Sequence, residues 1–352
     1  MKPEKTVGIS FFEKNLTLWV TLCMVAGVLI GKFLPSVPAV LSQFEYARVS
    51  IPIAVLIWFM IYPMMMKVDF ASIKNVGQNP TGLYVTWGVN WLIKPFSMFA
   101  IAWLFFYVIF KAFIPPELAR SYLAGAVLLG AAPCTAMVFV WSHLTRGNPA
   151  YTVVQVATND LIILVAFTPI VAILLGVSGI TIPWNTLLLS VFLFVVIPLA
   201  GGIMTRNYVI KSKGLDYFNK KFIPKFNNVT IIGLLLTLVL IFSFQGEMIL
   251  GNPLHILLIA IPLIIQTCLI FFIAYFACKK LRLSHDIAAP AGMIGASNFF
   301  ELAVAVAITL FGASSPAVLV TIVGVLVEVP VMLALVRFAN NTRTWFPAAR
   351  TF

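Results

Sequence analysis

An all-α polytopic membrane protein is the fold class that this 352-residue sequence predicts, and three observations carry the prediction. Hydrophobic residues make up 61% of the chain and charged ones 10%, with a mean hydropathy of +1.04, far outside the soluble globular range. The apolar residues gather into ten runs of roughly the length that a helix needs to cross a hydrocarbon core. The second half of the chain also repeats the first at a shift of 167 residues, the mark of a transporter built from internal repeats.

The runs cover about 16–34, 47–66, 82–110, 121–143, 150–176, 184–205, 228–246, 253–278, 286–311 and 316–338. The first follows three lysines, as the core of a signal peptide would, but nine more runs come after it and it reads as a retained span. The fourth contains Gly130-Ala131-Ala132-Pro133-Cys134-Thr135. Pro133 lacks a backbone donor and crowds the carbonyl four residues earlier, so this span is predicted to be a broken helix. The ninth carries a second weak stretch, Gly295-Ala296-Ser297-Asn298, just before Glu301. In hydrocarbon such breaks are tolerated only where protein or a water-lined cavity surrounds them, and they mark binding sites near the bilayer midplane. The connections are short and leave no room for a separate soluble domain.

At the 167-residue shift Ala124-Gly125 falls on Ala291-Gly292, Pro149-Ala150 on Pro316-Ala317, Pro95 on Pro262, and Cys134 on Glu301. Spans 3, 4 and 5 thereby map on spans 8, 9 and 10. Five spans per copy is an odd number, so the second copy enters the membrane from the opposite side. The expected organisation is an inverted pair, residues 1–176 and 177–352, with spans 4 and 9 broken and crossing.

The net charge of +12 is a topology signal. With the N-terminus in the cytoplasm, 18 of the 23 Lys and Arg residues fall on that side, four on the other, and Lys94 lies inside span 3. By the positive-inside rule both termini are cytoplasmic in a plasma-membrane protein. Basic residues between 206 and 225 face anionic lipid, and nucleic acid is not implied.

Charges inside the membrane need a partner or a function. Four occur: Lys94, Asp160, Glu301 and Glu328. Asn90, Gln155, Thr158, Ser297 and Asn298 are the neighbours expected to meet their hydrogen-bond needs, with Pro133, Thr135 and Asn159 as further accessory positions. Lys94 reads equally as a charge-pairing lysine or one that touches cargo. Asp160 and Glu328, one residue off the repeat register, read as a buried packing network or as coupling groups. Glu301 and Cys134, each beside a break, are the functional candidates. A lone thiol is a soft ligand for thiophilic cargo, and one thiol rather than three permits release. A glutamate at membrane depth is a proton site. Together they suit exchange of a soft metalloid against protons.

The four cysteines, Cys23, Cys134, Cys268 and Cys278, show no CxxC spacing, which argues against disulfides and structural zinc. His143, His255 and His285 form no ligand spacing, and neither a P-loop nor a hydrolase motif is present. The chain is expected to be no enzyme, to use no cofactor, and to need no ATPase.

The segment from Gly130 through Cys134 to Trp141, with Thr145-Arg146-Gly147-Asn148-Pro149, Asn159-Asp160 and Gly295 to Ala305, closely resembles the arsenical resistance three family of arsenite efflux permeases. That family sits within the bile acid, arsenite and riboflavin transporter superfamily. The resemblance covers essentially the whole chain. It implies that Cys134 and Glu301 are the transport thiol and carboxyl, that spans 4 and 9 cross, and that trivalent arsenite, with antimonite as a second cargo, leaves against a proton gradient. Two alternatives remain. A sodium-coupled symporter of an organic anion would have no need of Cys134. A passive channel would not accumulate cargo against a gradient.

Overall fold

The computed structural model describes residues 16–347 apart from 47–48, 70–79, 136, 181 and 252. The lysines of the N-terminal arm, Arg48, Lys74 and Arg350, which enter the charge count, lie outside the described residues.

Apart from a hairpin of two-residue strands, β1 (Glu45–Tyr46) and β2 (Val49–Ser50), the described chain is helical. α1 (Leu16–Phe33) and α2 (Ser36–Ser42) form a bent pair, turned by 92° at the break. There follow α3 (Ile51–Lys67), α4 (Pro80–Ile109), α5 (Pro116–Gly130), α6 (Met137–Leu144), α7 (Pro149–Val177), α8 (Trp184–Lys213), α9 (Leu215–Phe244) and α10 (Gly246–Gly251). The last four are α11 (Pro253–Lys280), α12 (His285–Ala296), α13 (Phe300–Phe311) and α14 (Pro316–Asn341). Six of these helices are long and apolar enough to cross a membrane, or seven when the bent pair is taken as one span. The protein is a multi-pass membrane protein: exposed leucines, valines and phenylalanines stud the outer helices, Leu18, Leu22, Val25 and Leu29 making one stripe on α1. Most backbone groups of such a helix are bonded within it, which is what hydrocarbon demands.

Local chemistry explains the boundaries. α7 starts at Asn148, whose Oδ1 accepts the Tyr151 N–H at 3.1 Å, with Pro149 as first helical residue; α14 starts at Ser315, whose Oγ accepts the Ala317 N–H at 3.3 Å, with Pro316 next. Four π turns occur among the described residues, and three of them, Val89–Ile93, Phe192–Val196 and Phe218–Phe222, end two residues ahead of a proline, Pro95, Pro198 and Pro224; the fourth, Leu104–Ile109, does not. The pyrrolidine ring offers no N–H and crowds the preceding turn, and an i→i−5 ladder relieves both. The basic stretch 206–225, expected as a loop, is helical except at Gly214, whose φ of +84° makes the turn between α8 and α9. Lys and Arg are good helix formers. Arg206 anchors the turn, 3.2 Å from Asp69 and 5.2 Å above the Phe218 ring.

Packing places the interrupted helices at the centre. In α14, 72% of the most apolar window is buried, against 28–44% in the other five long helices. α12 and α13 bury almost every residue, and α5 buries everything from Tyr122 to Gly130. α5 lies on α14 so closely that a methyl group on Gly125 would strike the Ala317 carbonyl. On the other flank α1 meets α9 through Gly27 and Gly31, whose absent side chains admit the carbonyls of Val239 and Ser243.

Candidate functional site at the meeting of two helix breaks

α5 and α6 are separated by residues 131–136, and α12 and α13 by residues 297–299. Backbone groups released at these breaks find one another. The Cys134 N–H donates to the Ser297 carbonyl at 3.3 Å, and the Phe299 N–H donates to the Ala132 carbonyl at 2.9 Å. Pro133 and Asn298 sit between as an antiparallel bridge. A proline suits the position because its own residue has no donor to satisfy. This solves the membrane's backbone problem without water: each break is the other's hydrogen-bonding partner.

The bridge pairs residues 165 apart, with Glu301 three places beyond its Asn298 end. The first break is the longer of the two.

Ser297 is the hub. Its carbonyl accepts both the Cys134 N–H and the Lys94 ammonium, the latter at 2.5 Å. Its hydroxyl donates to Glu328 Oε1 at 2.5 Å, and the Asn298 N–H reaches the two Glu328 oxygens at 3.4 and 3.3 Å. Lys94 and Glu328 come from α4 and α14, so four separate segments converge on one serine. The Cys134 thiol, 1% exposed, lies beside the Ser297 side chain and the Met137 backbone N–H, with Glu328 and Glu301 as its acidic neighbours. Glu301 occupies the first turn of α13, where the helix dipole favours negative charge. It is 3% exposed and its Oε2 has no hydrogen-bond partner among the described residues. Thr135 Oγ1 and Asn298 Oδ1 are likewise buried and unpartnered among the described residues. The site is thus a buried thiol, a buried carboxyl with free acceptor capacity, and an ammonium–carboxylate pair joined through a serine.

Of the residues expected from sequence, Pro133, Cys134, Lys94, Ser297, Asn298, Glu301 and Glu328 come together here. Asn90 and Asn159 form a neighbouring group: the Asn159 Oδ1 accepts from Asn90 Nδ2 at 3.4 Å and from Trp91 Nε1 at 3.2 Å. Thr158 accepts from Trp87 Nε1 at 3.0 Å, and Gln155 donates to the Tyr151 hydroxyl at 3.1 Å. Neither serves Asp160, whose two carboxyl oxygens are buried with no partner among the described residues. Asp160 and Glu328 therefore differ in surroundings: Glu328 is held at the hub, Asp160 is not. Trp87, Trp91 and Phe299 were not anticipated. The spacing of the two tryptophans on one turn of α4, facing Thr158 and Asn159, is the signal that could have found them.

The four cysteines are free among the described residues, and no group of three His, Cys, Asp or Glu side chains that could hold a metal ion occurs among them. Two histidines are structural: His255 bonds the Tyr122 hydroxyl at 2.8 Å, and His285 the Ala339 carbonyl at 2.9 Å.

Comparison with known proteins gives the same direction. The model of the sodium bile acid symporter family matches residues 54–252. An arsenical-resistance protein Acr3 from Alkaliphilus metalliredigens is 64% identical over 97% of this chain and 95% of its own length. A second Acr3, from Corynebacterium glutamicum, is 34% identical over 94% of this chain and 90% of its own. A probable sodium/metabolite cotransporter, chloroplastic BASS2 of rice, is 25% identical over 67% of this chain and half of its own length.

Proposed function

This chain belongs to the Acr3 family of arsenical-resistance proteins within the sodium bile acid symporter family, and on that premise we propose that it exports trivalent arsenite in exchange for protons. It is a transporter and not an enzyme. The observation that carries the proposal is the burial of Cys134 and Glu301 at one meeting of two helix breaks.

Arsenous acid is neutral at pH 7 and thiophilic. Replacing one of its hydroxyls by the Cys134 sulfur forms an S–As bond; the thiol proton and the departing hydroxyl leave as one water. The reverse step, with water attacking arsenic, releases the cargo and restores the thiol. A single thiol makes this exchange reversible, where three would trap the metalloid. Glu301, with a free oxygen beside that thiol, is the group that takes up and gives back the coupling proton. Antimonite, of the same valence and softness, is the second cargo.

The proposed frame is ten spans in the plasma membrane, arranged as inverted five-helix repeats 1–176 and 177–352 with both termini cytoplasmic. Such a frame has two related conformations opening to opposite sides, which is what alternating access requires. The matching Xaa-Pro starts of α7 and α14, 167 residues apart, support it. No ATPase enters the cycle.

The test is uptake of arsenite into everted vesicles under an imposed proton gradient, without ATP or sodium. Accumulation by the wild type that is lost in Cys134→Ala supports the proposal. Uptake that needs sodium and an organic anion, and ignores Cys134, replaces it with the symporter reading.

A further inference from the structure

We propose that Lys94 is a tethered coupling-site cation: its ammonium occupies the place at the helix break that a free monovalent cation would otherwise have to fill. The inference deepens the transport reading and rests on it for its functional arm.

The geometry begins with α12, which stops at Ala296, so that the negative end of its dipole lies at the buried break and Ser297 follows in extended backbone. Broken helices in membrane carriers commonly meet such carbonyls with an ion. Here the Lys94 Nζ sits 2.5 Å from the Ser297 carbonyl, with Glu328 as its acidic neighbour and the Cys134 thiol nearby. The lysine is 0% exposed. It forms no direct ion pair with Glu328; the two charges are joined through Ser297, one on the carbonyl and one on the hydroxyl. The Ser297 carbonyl meets the ammonium directly, and the Ser297 hydroxyl and Glu328 carboxylate are linked through the same serine; these are hard oxygens of the kind that bind alkali cations rather than soft metals.

The chain is built to deliver the ammonium. The π turn at Val89–Ile93 ends at Lys94, whose own N–H bonds the Val89 carbonyl five residues back, and Pro95 follows. This extra residue in the turn rotates Lys94 relative to an unbroken α-helix. A buried lysine with only one hydrogen-bond acceptor among the described residues is poorly explained as a packing residue. As a tethered cation it has a reason: the crossing is electrically complete whether or not an ion is present, so transport needs no inorganic cation. Removing the side chain beyond Cβ opens a lysine-shaped space that ends at the Ser297 carbonyl, with the Glu328 carboxylate linked to the same serine.

The experiment uses full-length protein in proteoliposomes, with arsenite transport and thermal unfolding measured in choline, sodium or ethylammonium chloride. Wild type, Lys94→Ala and Lys94→Gln are compared. Expected are a wild type indifferent to the three salts, a Lys94→Ala variant at least tenfold slower in choline, and recovery of most of that loss in sodium or ethylammonium. Both cations also raise the unfolding temperature of Lys94→Ala but not of wild type, and Lys94→Gln, with its space filled by an amide, is slow and gains nothing. The proposal is overturned by a wild type that sodium accelerates, by a Lys94→Ala variant fully active in choline, or by a variant that neither cation rescues or stabilises. If Lys94→Ala does not survive purification in choline, purification in sodium decides: a protein that still collapses refutes the idea. Failure of the wild type to move arsenite would sink the proposed cargo yet leave the unfolding comparison standing.

Discussion

Replacing Ser297 by alanine removes one hydroxyl and tests whether that residue is the hub that the hydrogen bonds make it. Its carbonyl, which serves Lys94 and Cys134, is backbone and survives the change. What disappears is the 2.5 Å bond to Glu328, leaving that buried carboxylate only the long Asn298 N–H contacts at 3.4 and 3.3 Å. A hydrogen bond to a charged group contributes about 1.5–3 kcal/mol net. Taking about 2 kcal/mol, Ser297→Ala lowers the folded-to-unfolded ratio roughly 30-fold. The same bond to a neutral amide is worth about 1 kcal/mol, so Glu328→Gln alone loses part of it and the double variant loses less than the sum. Equilibrium unfolding in mixed micelles reads all four corners of the cycle, with a coupling energy of about 1–2 kcal/mol expected. Strict additivity, or a Ser297→Ala variant within about 0.5 kcal/mol of wild type, refutes the hub.

Cys134→Ala and Cys134→Ser are both expected to abolish arsenite accumulation in everted vesicles while the protein stays in the membrane; unaltered uptake removes the thiol from the mechanism. Glu301→Gln keeps the shape of the site and removes the titrating group, so residual arsenite movement should no longer follow an imposed pH gradient; proton-driven accumulation by this variant argues against it. Gly125→Val drives side-chain atoms into the Ala317 carbonyl, which belongs to backbone and cannot turn aside; a loss of about 1–3 kcal/mol is expected in the same unfolding assay. Asp160→Asn is expected to leave stability unchanged or improved, because an amide of the same shape replaces a buried carboxyl that has no partner among the described residues. A loss above about 2 kcal/mol would mean that Asp160 has a partner.

Much of this was readable in the chain because hydrocarbon leaves so few options. Long apolar runs must be helices, and Pro133 must break one. The weak stretch before Glu301 was legible for the same reason. Less visible was how the breaks meet: the bridge centres on Pro133 and Asn298, a pairing that helix periodicity cannot give because the number of residues in an irregular loop is not constrained by it. The role of Ser297 was hidden too, because two of its bonds come from its carbonyl, which every residue possesses. Asp160 and Glu328 looked like counterparts from their positions; only the contacts of Ser297 separate them. The helical path through 206–225 was missed because charge was read as loop, whereas long basic side chains keep a helix soluble at a membrane surface.

The two breaks are joined through main-chain bonds, Cys134 to Ser297 and Phe299 to Ala132. Any amino acid can form those bonds where it supplies a carbonyl, and any but proline where it supplies the N–H. Those two bonds persist when the side chains of Cys134 or Ser297 are exchanged, although the bond from the Ser297 hydroxyl to Glu328 does not. That separation makes the scaffold evolvable: a lineage can exchange its thiol, carboxyl or ammonium for groups suited to another solute while inheriting the same moving parts. It also makes the chain a practical starting point for redesign, in which new cargo selectivity is sought at a few positions around an unchanged backbone.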